Sequence, residues 1–204
     1  MDSGSSETAA ETATLTPLRS TADTGLKIVI VGGFGVGKTT LVRSVSEIRP
    51  LSTEETMTRA GVGIDDPVGV GSKNTTTVAF DFGRITLNDR MVLYLFGAPG
   101  QERFWFLWDR LFSGTLGAVV LVDTRRLADS WYAIDRLEYH KMPFIVACNN
   151  FDGALVHPLD RVRDALSLSE DVPLIDCDAR RRESCKATLI ALVTHLYALA
   201  SAAR

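Results

Sequence analysis

From Leu26 the chain turns abruptly apolar: Lys27-Ile28-Val29-Ile30-Val31 is a β-branched run that ends in glycines, the pattern of a strand buried on both faces. The stretch before it is built from Ser, Thr, Ala, Glu and Asp, and Leu15 and Leu18 are, Met1 apart, its only large apolar residues. That is too little apolar surface to offset the entropy of ordering. The pattern therefore predicts a disordered tail over 1–24 and a folded domain over 25–204. A helix is expected from Gly37 to about Ile48. Residues 50–74 hold Pro50, Pro67, Gly61, Gly63, Gly69 and Gly71 and show neither a period of two nor one of 3.6, so a long mobile connection is expected there.

Val78 to Gly83 and Ile85 to Leu87, then Asn88-Asp89, then Met91 to Phe96, read as an antiparallel hairpin around an Asn-Asp turn. Three more apolar runs, Ala118 to Val122, Phe144 to Ala147 and Pro173 to Ile175, alternate with helical patterns. A closing helix from about Glu183 to Ala200 puts Leu189, Leu192, Val193 and Leu196 on one stripe that faces the core. The fold class expected is α/β: a three-layer, six-stranded, mostly parallel sheet with helices on both faces and one antiparallel edge strand.

At 204 residues one domain with a substantial core is expected. With 46% hydrophobic and 23% charged residues and a formal charge of −3, the chain lacks the basic field that nucleic-acid binding needs. Cys148, Cys177 and Cys185 fall in no metal-binding spacing and read as buried thiols of a cytoplasmic protein. No unbroken apolar run reaches the length of a membrane span, Met1-Asp2-Ser3 begins no signal peptide, and Ala202-Ala203-Arg204 carries no prenylation cysteine. Membrane attachment is expected only through a partner.

The strongest chemical signal is Gly32-Gly33-Phe34-Gly35-Val36-Gly37-Lys38-Thr39, a full match to GxxxxGK[ST] between an expected strand and an expected helix. Glycines let such a loop wrap so that successive backbone N–H groups face phosphate oxygens, and the helix N-terminus adds its positive dipole end. Gly33, Gly35, Val36, Gly37, Lys38, Thr39 and Thr40 are the expected phosphate contacts. Lys38 is expected to reach the β and γ phosphates and Thr39 to ligate Mg²⁺.

In its motif order the chain, over residues 26 to about 200, resembles the small Ras-like GTPases, most closely the bacterial MglA and Rop-like branch with the conservon-type GTPases of actinobacteria. The resemblance implies a Ras-like G domain that binds GTP or GDP with Mg²⁺. Thr77-Val78-Ala79-Phe80-Asp81-Phe82-Gly83 resembles the switch I threonine and the strand after it, with Thr77 bonding the γ-phosphate and the metal. The same letters read equally well as a threonine-rich edge strand. Gly97-Ala98-Pro99-Gly100-Gln101-Glu102-Arg103-Phe104 resembles switch II, with Gly97 where most members carry a Mg²⁺-holding aspartate. Gly100 is expected to offer its N–H to the γ-phosphate, and Gln101 to orient the attacking water. The missing carboxylate is expected to come, through water, from Asp81 or from an acidic residue of the long loop.

Asn149-Asn150-Phe151-Asp152 resembles the NKxD base-reading motif. A carboxylate at Asp152 accepts from both N1–H and the N2 amine of guanine, whereas adenine presents an acceptor at N1. Asn150 in place of the motif lysine removes the stem that covers the purine, and an Asn/Asp turn after a strand explains the same letters. Asp178-Ala179-Arg180 stands where the family carries a Ser-Ala-Lys loop whose alanine N–H meets guanine O6; an ordinary loop after the last strand fits it as well. Arg59, Arg84 and Arg103 lie in or beside the switches.

Phe104, Leu107, Trp108, Leu111 and Phe112 form a core-facing stripe, which leaves Trp105 and Phe106 on the outer face as candidates for docking. By resemblance the partners are Roadblock-type regulatory dimers and a sensor-kinase-like complex. The function expected is a slowly hydrolysing GTP switch in signalling. The departures at Gly97 and Asn150 keep open a nucleotide-binding scaffold without turnover, and a P-loop ATPase is the third reading.

Overall fold

The computed structural model describes residues 24–49, 51–58 and 75–203, with 51–58 and 75–79 described by their backbone alone. The expected tail up to residue 23, Arg59 and the greater part of the expected mobile connection lie outside the described residues, as does the Thr77 side chain; Thr24, the last residue of the expected tail, belongs to the first strand. In chain order the strands are β1 (Thr24–Val31), β2 (Leu51–Thr58), β3 (Thr75–Thr86), β4 (Met91–Gly97), β5 (Gly117–Val122), β6 (Phe144–Asn149) and β7 (Leu174–Cys177). The α-helices are α1 (Lys38–Val45), α2 (Trp108–Phe112), α3 (Trp131–Tyr139), α4 (Leu159–Leu166) and α5 (Arg182–Ala202), and a 3-10 helix over Glu102–Leu107 runs directly into α2.

The strands form one sheet in the order β2-β3-β4-β1-β5-β6-β7. Five strands pair in parallel, and β3 runs against both its neighbours. The chain leaves β1 for the strands on one side of it and returns from β4 to β5 on the other. The carboxyl end of β1 is thus the point of divergence where open α/β sheets form a ligand crevice.

Side chains alternate between faces along a strand, and here both faces are covered. Ile28 and Ile30 join Leu95, Leu121 and Ile145 beneath Leu41 and Val42 of α1 and Leu189 and Leu192 of α5. Val29 and Val31 join Val120, Val122 and Val146 beneath Trp108 of α2, Leu137 of α3 and Val162 of α4. This double burial, about 1.5–3 kcal/mol for each large aliphatic side chain, is why the strand sequences are continuously apolar rather than alternating.

All six expected strands are present in the expected three layers, and β2 adds a further one at the edge. It pairs antiparallel with β3 from Leu51↔Phe82 to Thr58↔Thr75, so the antiparallel strand β3 lies one place in from the edge. Leu-Ser-Thr-Glu-Glu-Thr-Met-Thr carries no apolar alternation and therefore reads as loop; backbone pairing and β-branched threonines suit it to an edge. The expected hairpin turn is closed by Asn88, whose side-chain oxygen accepts from the N–H groups of Arg90 and Met91 at 2.9 Å each.

Two expectations about helix faces need correction. In α5 the buried residues are Cys185, Thr188, Leu189 and Leu192, whereas Val193 is exposed, so the core stripe is rotated toward the start of the helix. With a mean hydropathy of 1.4 over its best window, α5 is long and apolar enough to cross a membrane, but its inner face packs on the sheet core. Over residues 102–112 the stripe Phe104, Leu107, Trp108 and Phe112 is buried as expected, and Phe106 is 62% exposed. Trp105 is not free on the outer face: its ring stacks on Tyr132 of α3, with centroids 3.5 Å apart and planes at 10°, which docks the 102–112 segment against α3.

Candidate functional site

The loop between β1 and α1 turns on three glycines with positive φ: Gly32 at 137°, Gly35 at 74° and Gly37 at 107°, a region that side chains bearing a Cβ rarely enter. At Gly32 a Cβ would also stand 2.2 Å from the Leu121 carbonyl oxygen, so the sheet admits no larger residue there. α1 starts with Gly37 as N-cap and has no side-chain cap. Its first N–H groups are thereby left to an external anion.

Lys38, the first residue of α1, is buried and donates from Nζ to the carbonyls of Gly32 at 2.9 Å and Gly33 at 2.6 Å. Burial lowers its pKa from 10.5 to about 8, with the Asp81 carboxylate opposing the shift. The amine is therefore poised to gain charge when an anion arrives. Above pH about 8 the empty site is mostly neutral at Lys38, so phosphate binding takes up a proton and affinity should fall by up to about tenfold per pH unit. Calorimetry in buffers of different ionisation enthalpy should show proton uptake at about pH 9 and almost none at about pH 7. Stability has the other sign. The cost of the depressed amine is fully present below pH about 8 and is relieved as pH rises toward 10.5.

Opposite the cradle, the Thr39 hydroxyl donates to Asp81 Oδ2 at 2.5 Å. Asp81 is the register partner of Gly97 across β3 and β4, and a Cβ on Gly97 would lie 3.0 Å from Asp81 Cβ and 3.1 Å from its Oδ2. The carboxylate that the resemblance expects at position 97 thus has its space taken by Asp81 from the neighbouring strand. A hydroxyl beside a carboxylate is a hard oxygen donor pair of the kind Mg²⁺ takes together with phosphate oxygens and water, so the residues present fit that ion. Thr77 lies in β3 opposite Thr56.

Lys38, Thr39, Thr40, Asp81, Gly100 and Gln101 line one cleft of about 570 Å³. Gly100 packs onto the cradle: a Cβ there would be 2.6 Å from Lys38 Nζ and 2.8 Å from the Gly33 carbonyl oxygen. Gln101 Oε1 accepts from Arg103 Nε at 2.9 Å, which turns the amide toward Arg103.

The base-side residues form a second group, joined to the first by one buried side chain. Asn149 donates from Nδ2 to the Val36 carbonyl at 2.9 Å and accepts at Oδ1 from the Ala179 N–H at 2.9 Å. This corrects the expectation for Ala179. Its N–H is engaged by the nearer carboxamide, not left open for a base. Asp152 is exposed and paired with Arg180, Nη1 to Oδ2 at 2.6 Å, while Arg180 also bonds Asp178 at 2.9 Å. Asn150 is exposed, with its N–H on the Cys177 carbonyl at 2.7 Å. Sequence reading missed Arg126, which donates to the Phe34 carbonyl at 3.0 Å and braces the tip of the cradle; no motif marks it.

A glycine-wrapped cradle at the carboxyl end of β1, with a buried lysine opening the following helix, defines a P-loop nucleotide-binding domain. The chain belongs to the family described as "Conserved hypothetical ATP binding protein", whose pattern it matches over residues 30–199. It is 29% identical over 129 residues to a Methanocaldococcus jannaschii protein named Uncharacterized protein MJ1339, spanning 62% of this chain and 71% of that one. Among solved structures it is similar to the G domain of the T. maritima FeoB iron transporter, with a TM-score of 0.59 and 17% identity over 84% of this chain and 99% of that chain. The FeoB G domain from Methanococcus jannaschii is also similar, with a TM-score of 0.56 and 16% identity over 85% of this chain and 98% of that one. These likenesses establish the G-domain type of P-loop fold.

Proposed function

We propose that the chain is a guanine-nucleotide switch that hydrolyses GTP slowly. The observation that carries this reading is Asn149, which ties the phosphate cradle through Val36 to the loop of Ala179 and Arg180 and so makes phosphate and base recognition one unit. Asp152, three residues on, offers the acceptor-only group that suits guanine N1–H and N2 and leaves adenine unpaired. Thr39 and Asp81 would hold Mg²⁺, which offsets the charge of the β and γ phosphate oxygens. Thr77, expected as a further ligand, stands four residues from Asp81 along the extended β3, about 13 Å away, too far to share that ion. Lys38 holds those oxygens, the Gly100 N–H meets the terminal one, and Gln101 orients water once it leaves Arg103. Turnover of about 10⁻⁴ to 10⁻³ per second is expected if neither Arg43 nor Arg103 of the cleft, nor a partner, brings a guanidinium to the phosphate.

Resemblance to the MglA and Rop-like branch supports a signalling role with a Roadblock-type dimer and a sensor-kinase-like complex in the cytoplasm. Phe106 and Phe34, each 62% exposed, offer apolar surface for such a partner. A second reading, ATP binding, is favoured by the family's description and by the Arg180 ion pair that already occupies Asp152.

Single-turnover hydrolysis of GTP, with ATP as competitor, tests both. The switch reading expects product from the wild type, none from Gln101→Ala, and no competition from ATP at tenfold excess. Equal competition by ATP would establish the second reading, and tight binding without product would make the chain a scaffold.

A further inference from the structure

Trp108 opens α2 with 1% of its surface exposed, and its indole N–H donates to the Pro99 carbonyl oxygen at 3.1 Å. The Pro99–Gly100 peptide is trans, and in a trans peptide the C=O and the following N–H point to opposite sides. With the carbonyl held toward Trp108, the Gly100 N–H faces away from the indole. Lys38 Nζ and the Gly33 carbonyl oxygen lie against the Gly100 Cα, 2.6 Å and 2.8 Å from where a Cβ would stand, so this peptide borders the cradle. Among the described residues no group accepts from this N–H.

We propose that Trp108 is a positioning residue: it aims the Gly100 N–H at the terminal phosphate, so that preference for a triphosphate over a diphosphate depends on a buried indole. The proposal rests on the reading of residues 32–39 as a nucleotide cradle. Glycine at position 100 leaves the peptide plane easy to turn, and a turned plane presents a carbonyl, which repels phosphate. The indole removes that freedom because it is itself locked. Its ring lies 5.6 Å from Tyr132 and 6.2 Å from Phe112 and from Trp105, and Trp105 is stacked on Tyr132. The aromatic contact between the switch segment and α3 thus ends in the orientation of a single peptide.

Trp108→Phe removes the donor, and incorporation of 3-benzothienylalanine at position 108 removes it while keeping the ring system. Calorimetry with Mg²⁺ then compares a non-hydrolysable triphosphate with the matching diphosphate, for the guanine and adenine pairs in turn. In both variants the triphosphate should bind about tenfold or more weaker and the diphosphate within about twofold of the wild type. Both variants leave the buried Pro99 carbonyl without its donor and should melt somewhat lower, so the diphosphate arm, not the melting temperature, separates lost aiming from lost stability. Equal loss for both nucleotides, or an unchanged ratio in the benzothienyl variant, overturns the proposal. If the wild type binds neither pair, the cradle reading fails and this proposal falls with it; if it binds only the adenine pair, guanine selectivity fails while the ratio test stands on that pair.

Discussion

Replacing Lys38 by methionine is expected to weaken nucleoside triphosphate binding by about 10²- to 10³-fold while leaving the fold intact. The amine sits inside the glycine loop on the carbonyls of Gly32 and Gly33, and burial already holds its pKa down at about 8. Its charge finds full compensation only against phosphate, where each charge-assisted hydrogen bond contributes about 1.5–3 kcal/mol. Two such bonds account for the expected loss. Methionine keeps the buried stem and removes an amine that is costly to desolvate, offsetting the roughly 1–3 kcal/mol of leaving two carbonyls without their donor. Titration of the nucleotide alongside thermal unfolding checks both halves. A loss smaller than tenfold would remove Lys38 from phosphate binding.

The second large effect concerns the carboxylate that has changed strands. Asp81→Ala should lower the Mg²⁺-dependent part of nucleotide affinity by about 10- to 100-fold, with little change in binding measured in a chelator. Gly97→Asp alone should be destabilising, because its Cβ meets Asp81 Cβ at 3.0 Å. The double variant Asp81→Ala/Gly97→Asp frees that space and should recover much of the Mg²⁺ dependence, since Asp81 and Gly97 are directly paired across two strands. Non-additivity of this kind is expected for residues that share one space. Equilibrium binding with and without Mg²⁺ for all four proteins reads it out, and retention of full Mg²⁺ dependence by Asp81→Ala would dismiss this carboxylate.

The parts of the molecule legible in its sequence are those in which one short stretch carries both the pattern and its cause. The run Lys27 to Val31, followed by glycines and Gly37-Lys38-Thr39, predicts a doubly buried strand, a tight loop and a helix start, and these are found. The Asn88 turn is equally local. Gly97 is legible as a missing carboxylate with Asp81 or an acidic residue of the long loop as its replacement, and the pairing of β3 with β4 puts Asp81 into that space. β2 is illegible because a polar edge strand owes its state to backbone pairing with a neighbour distant in sequence. Trp108 fits its core stripe so well that nothing in the sequence marks its indole N–H as the anchor of Pro99. The base side is hidden for a related reason. The Arg180–Asp152 pair and the Ala179–Asn149 bond span 28 and 30 positions, and each engages a group that the letters alone leave open.

The most direct measurement follows the backbone amide ¹⁵N–¹H resonances of residues 33–40 as GDP and Mg²⁺ are added, with GTP and ATP in parallel. A cradle of inward-facing N–H groups predicts that these signals move first and furthest, saturably, at nucleotide concentrations well below millimolar. Resonances that stay in place at millimolar concentrations of all three nucleotides would contradict it.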